Sequence, residues 1–263
     1  MRRLLVLSCC LAALSAPAAR AAEAKRAARL SAEQIVARNV EARGGLAAWR
    51  KVETLKLSGE MDAGGTAGAK LPFVLFMKRP HKSRLELTFA GKNAVQVYDG
   101  THGWKLRPFL NRDDVDPFTP AEARSAASSS ELDGPLVDHA QKGTRVELVR
   151  TEKVEGKEAY KLKLKLKGGE ERFLWVDAKT FLEARISGEP RKLDGRAHDV
   201  WIYYRDYRKV NGLKVPYVME TVVKGVKARA SQKIAIQTVT VNPPLEDALF
   251  AKPSAALARA PGK

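Results

Sequence analysis

Residues 160–167 read YKLKLKLK, and this octapeptide decides the fold class. In an extended chain Tyr160, Leu162, Leu164 and Leu166 project to one side, and Lys161, Lys163, Lys165 and Lys167 to the other. A strand that is apolar on one face and charged on the other belongs to an antiparallel sheet with a core or cavity on one side and water on the other. The same period of two runs through Leu55, Leu57, Gly59 and Met61, through Leu71, Phe73, Leu75 and Met77, and through Leu85, Leu87 and Phe89. Turn chemistry favours hairpins over helical crossovers. Gly168-Gly169 links the octapeptide to a strand at 171–177, and Asn211-Gly212 links 200–209 to 214–223. Both dipeptides suit type I′ turns, which need two residues at positive φ. Asp99-Gly100 begins a further reversal. About ten or eleven strands are expected in all.

Helical signals occur in two places. Ser31 has the character of an N-cap, with Gln34 completing a capping box; Ile35, Val36, Asn39 and Val40 follow at helical spacing, and Gly44-Gly45 stop the helix. A short second turn sets Leu46, Trp49 and Val52 on one side. Midway, residues 117–130 (PFTPAEARSAASSS) lack strand period and start a helix at Thr119-Pro120. The close, from Asn242-Pro243-Pro244 to Phe250, reads as a capping turn.

The first 21 residues form an export signal. Arg2 and Arg3 precede the apolar run 4–14, Pro17 follows, and Ala19-Arg20-Ala21 offers the small side chains that signal peptidase accepts. The apolar run falls short of the roughly 20 residues that span a bilayer. The expected organisation is a signal at 1–21, a basic Ala-rich tail at 22–30, one domain at 31–253 and a tail at 254–263. Both cysteines, Cys9 and Cys10, lie in the signal; lipidation there would make the chain a membrane-anchored lipoprotein, but residues 6–8 fit a lipoprotein box poorly. A mature chain without cysteine has no disulfide and depends on its core. The formal charge of +17 becomes +14 once Arg2, Arg3 and Arg20 depart, and an exported basic protein meets anionic lipid and cell-wall polymer rather than nucleic acid.

No catalytic constellation is visible. The nucleophile-elbow, zincin, P-loop and dinucleotide signatures are absent, and His81, His102, His139 and His198 are scattered beside turns. Asn111, Asp113, Asp114 and Asp116 lack the spacing, glycine and distal Glu of a calcium loop and read as a solvated loop. Neither a metal nor a cofactor is expected. The aromatics divide evenly between two readings, core residues or the lining of an apolar cavity in a curved sheet. Phe173 and Trp175 share a face, as do Trp201 and Tyr203, while Trp104 and Phe109 flank the helical insert.

Several stretches, in order along the chain, resemble the periplasmic lipoprotein-carrier (LolA-like) superfamily of outer-membrane lipoprotein-sorting proteins. They are Gly44-Gly45-Leu46 through Trp49, Tyr98-Asp99-Gly100 through Gly103-Trp104, and Asp133-Gly134-Pro135-Leu136. Leu174-Trp175-Val176-Asp177, Tyr207 through Asn211-Gly212 to Pro216, and residues 245–253 (LEDALFAKP) complete the set. The resemblance implies a mainly β fold, a curved antiparallel half-barrel covered by helices, with the N-terminal helix and the 117–130 insert as lid. It implies a periplasmic, non-enzymatic, monomeric protein that holds a lipid or the acyl chains of a lipoprotein and ferries it toward the outer membrane. The candidate cavity residues are then Trp104, Phe109, Leu136, Phe173, Trp175, Trp201 and Tyr203. The resemblance does not assign the carriers' key arginine or lid aromatic to specific positions. The alternative is an envelope protein-binding or sensing module on the same scaffold.

Overall fold

The computed structural model describes residues 30–62, 69–108, 112–193, 195–226 and 232–254. The segment read as an export signal, most of the two segments read as tails, and Phe109 lie outside these residues.

Both helix starts follow from their caps. Helix α1 (Ala32–Ala42) opens on a reciprocal box: the Ser31 hydroxyl accepts from the Gln34 N–H (3.2 Å), and the Gln34 side-chain oxygen accepts from the Ser31 N–H (2.9 Å). It ends where Gly44 takes φ +118°, and a Cβ there would lie 2.6 Å from the Gly212 carbonyl oxygen, so the position excludes a side chain twice over. Helix α2 (Leu46–Arg50) follows directly. Helix α3 (Pro120–Ser129) starts on the Thr119–Glu122 box with proline at its first turn, and buries none of its residues.

The strands are β1 (Thr54–Asp62), β2 (Lys70–Lys78), β3 (Lys82–Phe89), β4 (Lys92–Tyr98), β5 (Gly103–Arg107) and β6 (Arg112–Pro117), then after α3 β7 (Arg145–Val154), β8 (Lys157–Lys165), β9 (Glu171–Asp177), β10 (Glu183–Leu193), β11 (Arg196–Val210), β12 (Leu213–Val223) and β13 (Gln232–Val241). All thirteen form one curved antiparallel sheet in the order β6-β5-β4-β3-β2-β1-β13-β12-β11-β10-β9-β8-β7. Two meanders are thus zipped together where β1 pairs with β13. That junction needs Gly59, since a Cβ there would sit 2.1 Å from the Ala235 carbonyl oxygen, beside the bulge between Ser58 and Gly59.

Thirteen strands exceed the ten or eleven expected from sequence. One reason is the acidic stretch around Asp114 and Asp116, which pairs with β5 as the edge strand β6. Another is that two tight turns carry no Asn-Gly signal: Ala90-Gly91 between β3 and β4, and Glu155-Gly156 between β7 and β8, each with both residues at positive φ. Asn211-Gly212 has the expected two positive φ values (48° and 87°). Gly168-Gly169 does not form the expected type I′ turn: Gly169 alone has positive φ, in a longer loop in which the Leu166 N–H donates to the Glu170 carbonyl.

The sheet has a concave face carrying α1 and α2 and an opposite outer face. On the concave side, Ile35 and Val36 of α1 pack with Leu162, Leu164, Leu174, Val176 and Ile186, beside Leu136. Leu30, in the basic tail of the sequence reading, packs against this group. Trp49 of α2, and Val52 just beyond it, pack with Leu55, Leu57, Phe73, Met77, Leu213, Val215 and Val239. On the outer side, the 3₁₀ turn Asp247–Phe250 buries Phe250 against Val95, Val97 and Leu106. Asn242 fastens this closing segment: its Oδ1 accepts from the Glu53 N–H (2.8 Å), and its Nδ2 donates to the Lys51 carbonyl (2.9 Å). Among the described residues, no helix is long and apolar enough to cross a membrane.

Candidate functional site

The strands that make up the middle of the sheet share a gradient of exposure along their inner faces. Leu55 and Leu57 of β1 are buried, whereas Met61 is half-buried; on β12, Leu213, Val215 and Tyr217 are buried and Met219 is half-buried. On β13 the sequence runs from buried Val239 and Ile236 to half-buried Ile234. Cross-strand register keeps these residues on one face: Met61 pairs with Ile234 and Leu71, Ile234 with Met219, and Leu75 with Leu85. Leu71, Leu75, Leu85 and Leu87 are half-buried as well, and Phe89 is 45% exposed. One end of the concave face is therefore sealed by α2 and its neighbours, and the other is an apolar trough open to solvent. Aliphatic side chains that alternate with charged ones along a strand are ordinarily hidden by a packed layer. Among the described residues, that layer stops short of the trough.

A polar knot closes the sealed end. Asp133, in the segment after α3, accepts from Arg79 (2.7 Å) and Lys142 (2.5 Å), and its carbonyl accepts from Arg43 (2.6 Å). Arg43 lies over the Trp49 ring (4.4 Å) and pairs with buried Glu183 (3.3 Å), which also accepts from the Tyr207 hydroxyl (3.0 Å). Burial first, and the Glu183 charge second, push the Tyr207 phenol well above its ordinary range and Tyr204 up to about 12, so both stay neutral. Two concavities flank the knot. One, of about 250 Å³, is bordered by Arg79, His81, Glu131, Asp133 and Lys142; the other, of about 420 Å³, is bordered by Glu155, Asp177, Glu183, Tyr204 and Tyr207. Their walls mix polar and apolar groups, with Asp133 and Glu183 already held by Arg79, Lys142 and Arg43, whereas the trough is lined mainly by aliphatic side chains.

Helix α3 lies against the concave side of β4 and β5. Its tie is Glu122, which accepts from Lys105 (2.5 Å), from Arg107 (2.9 Å) and from the Thr119 N–H (2.8 Å). Burial raises this carboxyl, but the bonds from Lys105 and Thr119 and the Lys105 charge outweigh it and leave it at about 2.

The structure divides the described members of the sequence-derived cavity set between the two faces of the sheet. Leu136 is buried on the concave side under α1. Phe173, Trp175, Trp201 and Tyr203 keep the two shared faces expected of them, but that face is the outer one, because Leu174 and Val176 are the residues that meet α1. There they form a ladder with cations. The Arg185 guanidinium lies 3.9 Å from the Trp175 ring and 4.0 Å from the Trp201 ring, and Lys161 lies 4.4 Å from Phe173. The Trp175 indole N–H donates to Glu152 (2.6 Å). Trp104 is also on the outer side, near Val95 and Phe250. The trough residues were visible in sequence as alternating positions. What sequence reasoning missed was their openness, since periodicity says which side chains share a face but not where the covering helices end.

Of the histidines, His139 and His198 contact the carbonyls of Thr144 (3.1 Å) and Lys224 (3.2 Å), while His81 and His102 approach Glu131 (3.3 Å) and Asp99 (3.8 Å). Among the described residues, no group of three or more His, Cys, Asp or Glu is placed to hold a metal ion.

An open antiparallel half-barrel with helices in its concavity defines a class of β protein with an inward-facing apolar surface. Solved structures place this chain's architecture within that class as a LolA-like fold. It is similar to a LolA superfamily protein from Nitrosomonas europaea (TM-score 0.53, 15% identity, covering 85% of this chain and 99% of that one). It is also similar to a Vibrio parahaemolyticus domain assigned to outer membrane lipoprotein sorting (TM-score 0.54, 14% identity, 86% and 97%). A DUF1329 family protein from Desulfovibrio piger aligns equally well (TM-score 0.54, 15% identity, 84% and 97%). No family model matches the chain, and no curated protein matches it significantly. At these identities the likeness is one of fold.

Proposed function

We propose that the chain is an exported, periplasmic, non-enzymatic carrier that holds the acyl chain of a lipid or acylated lipoprotein in the trough and releases it toward the outer membrane. The observation that carries this reading is the exposure gradient, which leaves Met61, Leu75, Leu87, Met219 and Ile234 half-covered on a concave surface. Five adjacent strands, β12-β13-β1-β2-β3, line it, spanning roughly 19 Å at about 4.8 Å per strand. Hydrocarbon laid there replaces water on both surfaces, a gain of roughly 0.8 kcal/mol per methylene fully covered. The LolA-like fold supports the reading as an analogy of scaffold.

Uptake of a fluorescent fatty acid by the purified mature chain tests it. Saturable uptake at the trough is expected. A protein that takes up no acyl probe and co-purifies with no lipid contradicts the reading. The outer-face ladder favours a second reading, an envelope protein partner, because Phe173 and Trp201 are half-exposed there beside Lys161 and Lys224. A single stoichiometric protein captured from envelope extract, and lost on Trp201→Ala, supports that alternative.

A further inference from the structure

A trough that accepts hydrocarbon must also accommodate the polar end of the same molecule, and the strands β12-β13-β1-β2-β3 that line it turn no carboxylate inward. Register places Ser83, Gln96, Thr221 and Gln232 among the inward-facing residues of β3, β4, β12 and β13, all neutral. The acids of these strands and of β1, namely Glu60, Asp62, Glu86 and Glu220, fall at alternate positions and face outward. Two cations face inward beside the open end without a carboxylate partner: Lys92, which donates to the Pro108 carbonyl (3.1 Å), and Arg191.

Arg191 is the better placed of the two. It lies near the end of β10 opposite His198, and its guanidinium donates to the side-chain oxygen of Gln232 on β13 (3.2 Å), spanning β11 and β12 between them. Gln232 is two residues from Ile234, which puts the guanidinium at the mouth of the trough. Among the described residues it pairs with no carboxylate, although a guanidinium has five N–H donors. Arg172, on neighbouring β9, shows the contrast: Glu170 (2.5 Å) and Glu189 (2.6 Å) both neutralise it.

We infer that Arg191, steadied by Gln232, receives the phosphate or carboxylate headgroup of an anionic amphiphile whose chain lies in the trough. The inference rests on the acyl-binding reading and narrows its ligand to the anionic class. A planar fork of donors suits either oxyanion.

Displacement of a neutral fluorescent acyl probe from the full mature chain tests it, using lysophosphatidylglycerol, lysophosphatidylcholine and a free fatty acid of equal chain length. Inorganic phosphate and acetate serve as headgroup-only arms. The anionic lysolipid is expected to displace the probe at about tenfold lower concentration than the zwitterionic one, the size of one charge-assisted hydrogen bond. That ratio is expected to fall to near one in Arg191→Gln and to invert in Arg191→Glu, with unchanged melting temperatures showing that both variants fold. The fatty-acid arm separates carboxylate from phosphate recognition. An equal response to both lysolipids, a ratio unchanged in Arg191→Gln, or displacement by inorganic phosphate alone overturns the inference while leaving the acyl reading intact. Failure of every acyl ligand to bind removes the acyl reading, and this inference with it.

Discussion

Leu87→Glu is the substitution that most sharply separates a working trough from a merely uncovered sheet face. Leu87 sits on β3 opposite Phe73 and Ala94, facing inward and half-buried. A leucine lining a one-sided trough covers about three methylenes of a bound chain, worth about 2.4 kcal/mol at roughly 0.8 kcal/mol each. Replacing it by a carboxylate removes that contact and sets a charge against hydrocarbon. A loss of about 50-fold in acyl-probe affinity is expected, since 1.4 kcal/mol is about tenfold. The position is half-exposed, so the glutamate keeps water and the fold should survive, with a melting temperature lowered by only a few degrees. The assay is fluorescence titration of a fatty-acid probe alongside thermal unfolding. The control is Thr238→Glu, which adds the same charge on the exposed outer side of β13 and should bind like the unaltered chain. Binding by Leu87→Glu within twofold of the unaltered protein would refute the argument that the chain lies on this surface.

Gly59→Ala should be severely destabilising, by about 3 kcal/mol or more, because its Cβ collides with the Ala235 backbone at the strand pair that joins the two meanders; denaturant titration reads the loss. Arg185→Ala should cost about 2–3 kcal/mol, because it leaves the Trp175 and Trp201 rings without the cation stacked between them. Arg185→Lys should recover little of this, having no plane to stack, and chemical unfolding distinguishes the two. For Glu122 the folded carboxyl lies at about 2, below its ordinary value of 4.5. Its ionised form is therefore favoured by folding, and its contribution is present above about pH 4.5 and disappears as pH falls toward 2. With a third of the side chain exposed, solvent screening reduces this to about 1 kcal/mol. Glu122→Gln should accordingly show a smaller drop in melting temperature than the unaltered protein between pH 5 and 2.5.

Much of the architecture was legible because local chemistry and tertiary packing agree. In the octapeptide at 160–167, Leu162 and Leu164 are buried beneath α1, and Lys163 pairs outside with Glu171. Ser31 and Thr119 cap the helices their sequences announce. The outer-face aromatics were less legible for a physical reason. On β9, Phe173 and Trp175 alternate with Leu174 and Val176, so both faces are apolar and periodicity cannot rank them. The cations that cover the outer face, Lys161 and Arg185, come from β8 and β10, and only the register reveals them. The closure of β1 on β13 was equally hidden, because it joins residues 55 and 241, which no local signal connects. The trough's openness depends on where α2 and the segment after α3 stop, a property of tertiary packing rather than of any one strand.

Photo-crosslinking with a diazirine-bearing fatty acid, followed by peptide mass spectrometry, most directly reports which surface meets the hydrocarbon. Label concentrated on Met61, Leu75, Leu87, Met219 and Ile234 is the predicted result. Label on Phe173 and Trp201 of the outer face, or spread evenly over the sheet, would contradict it.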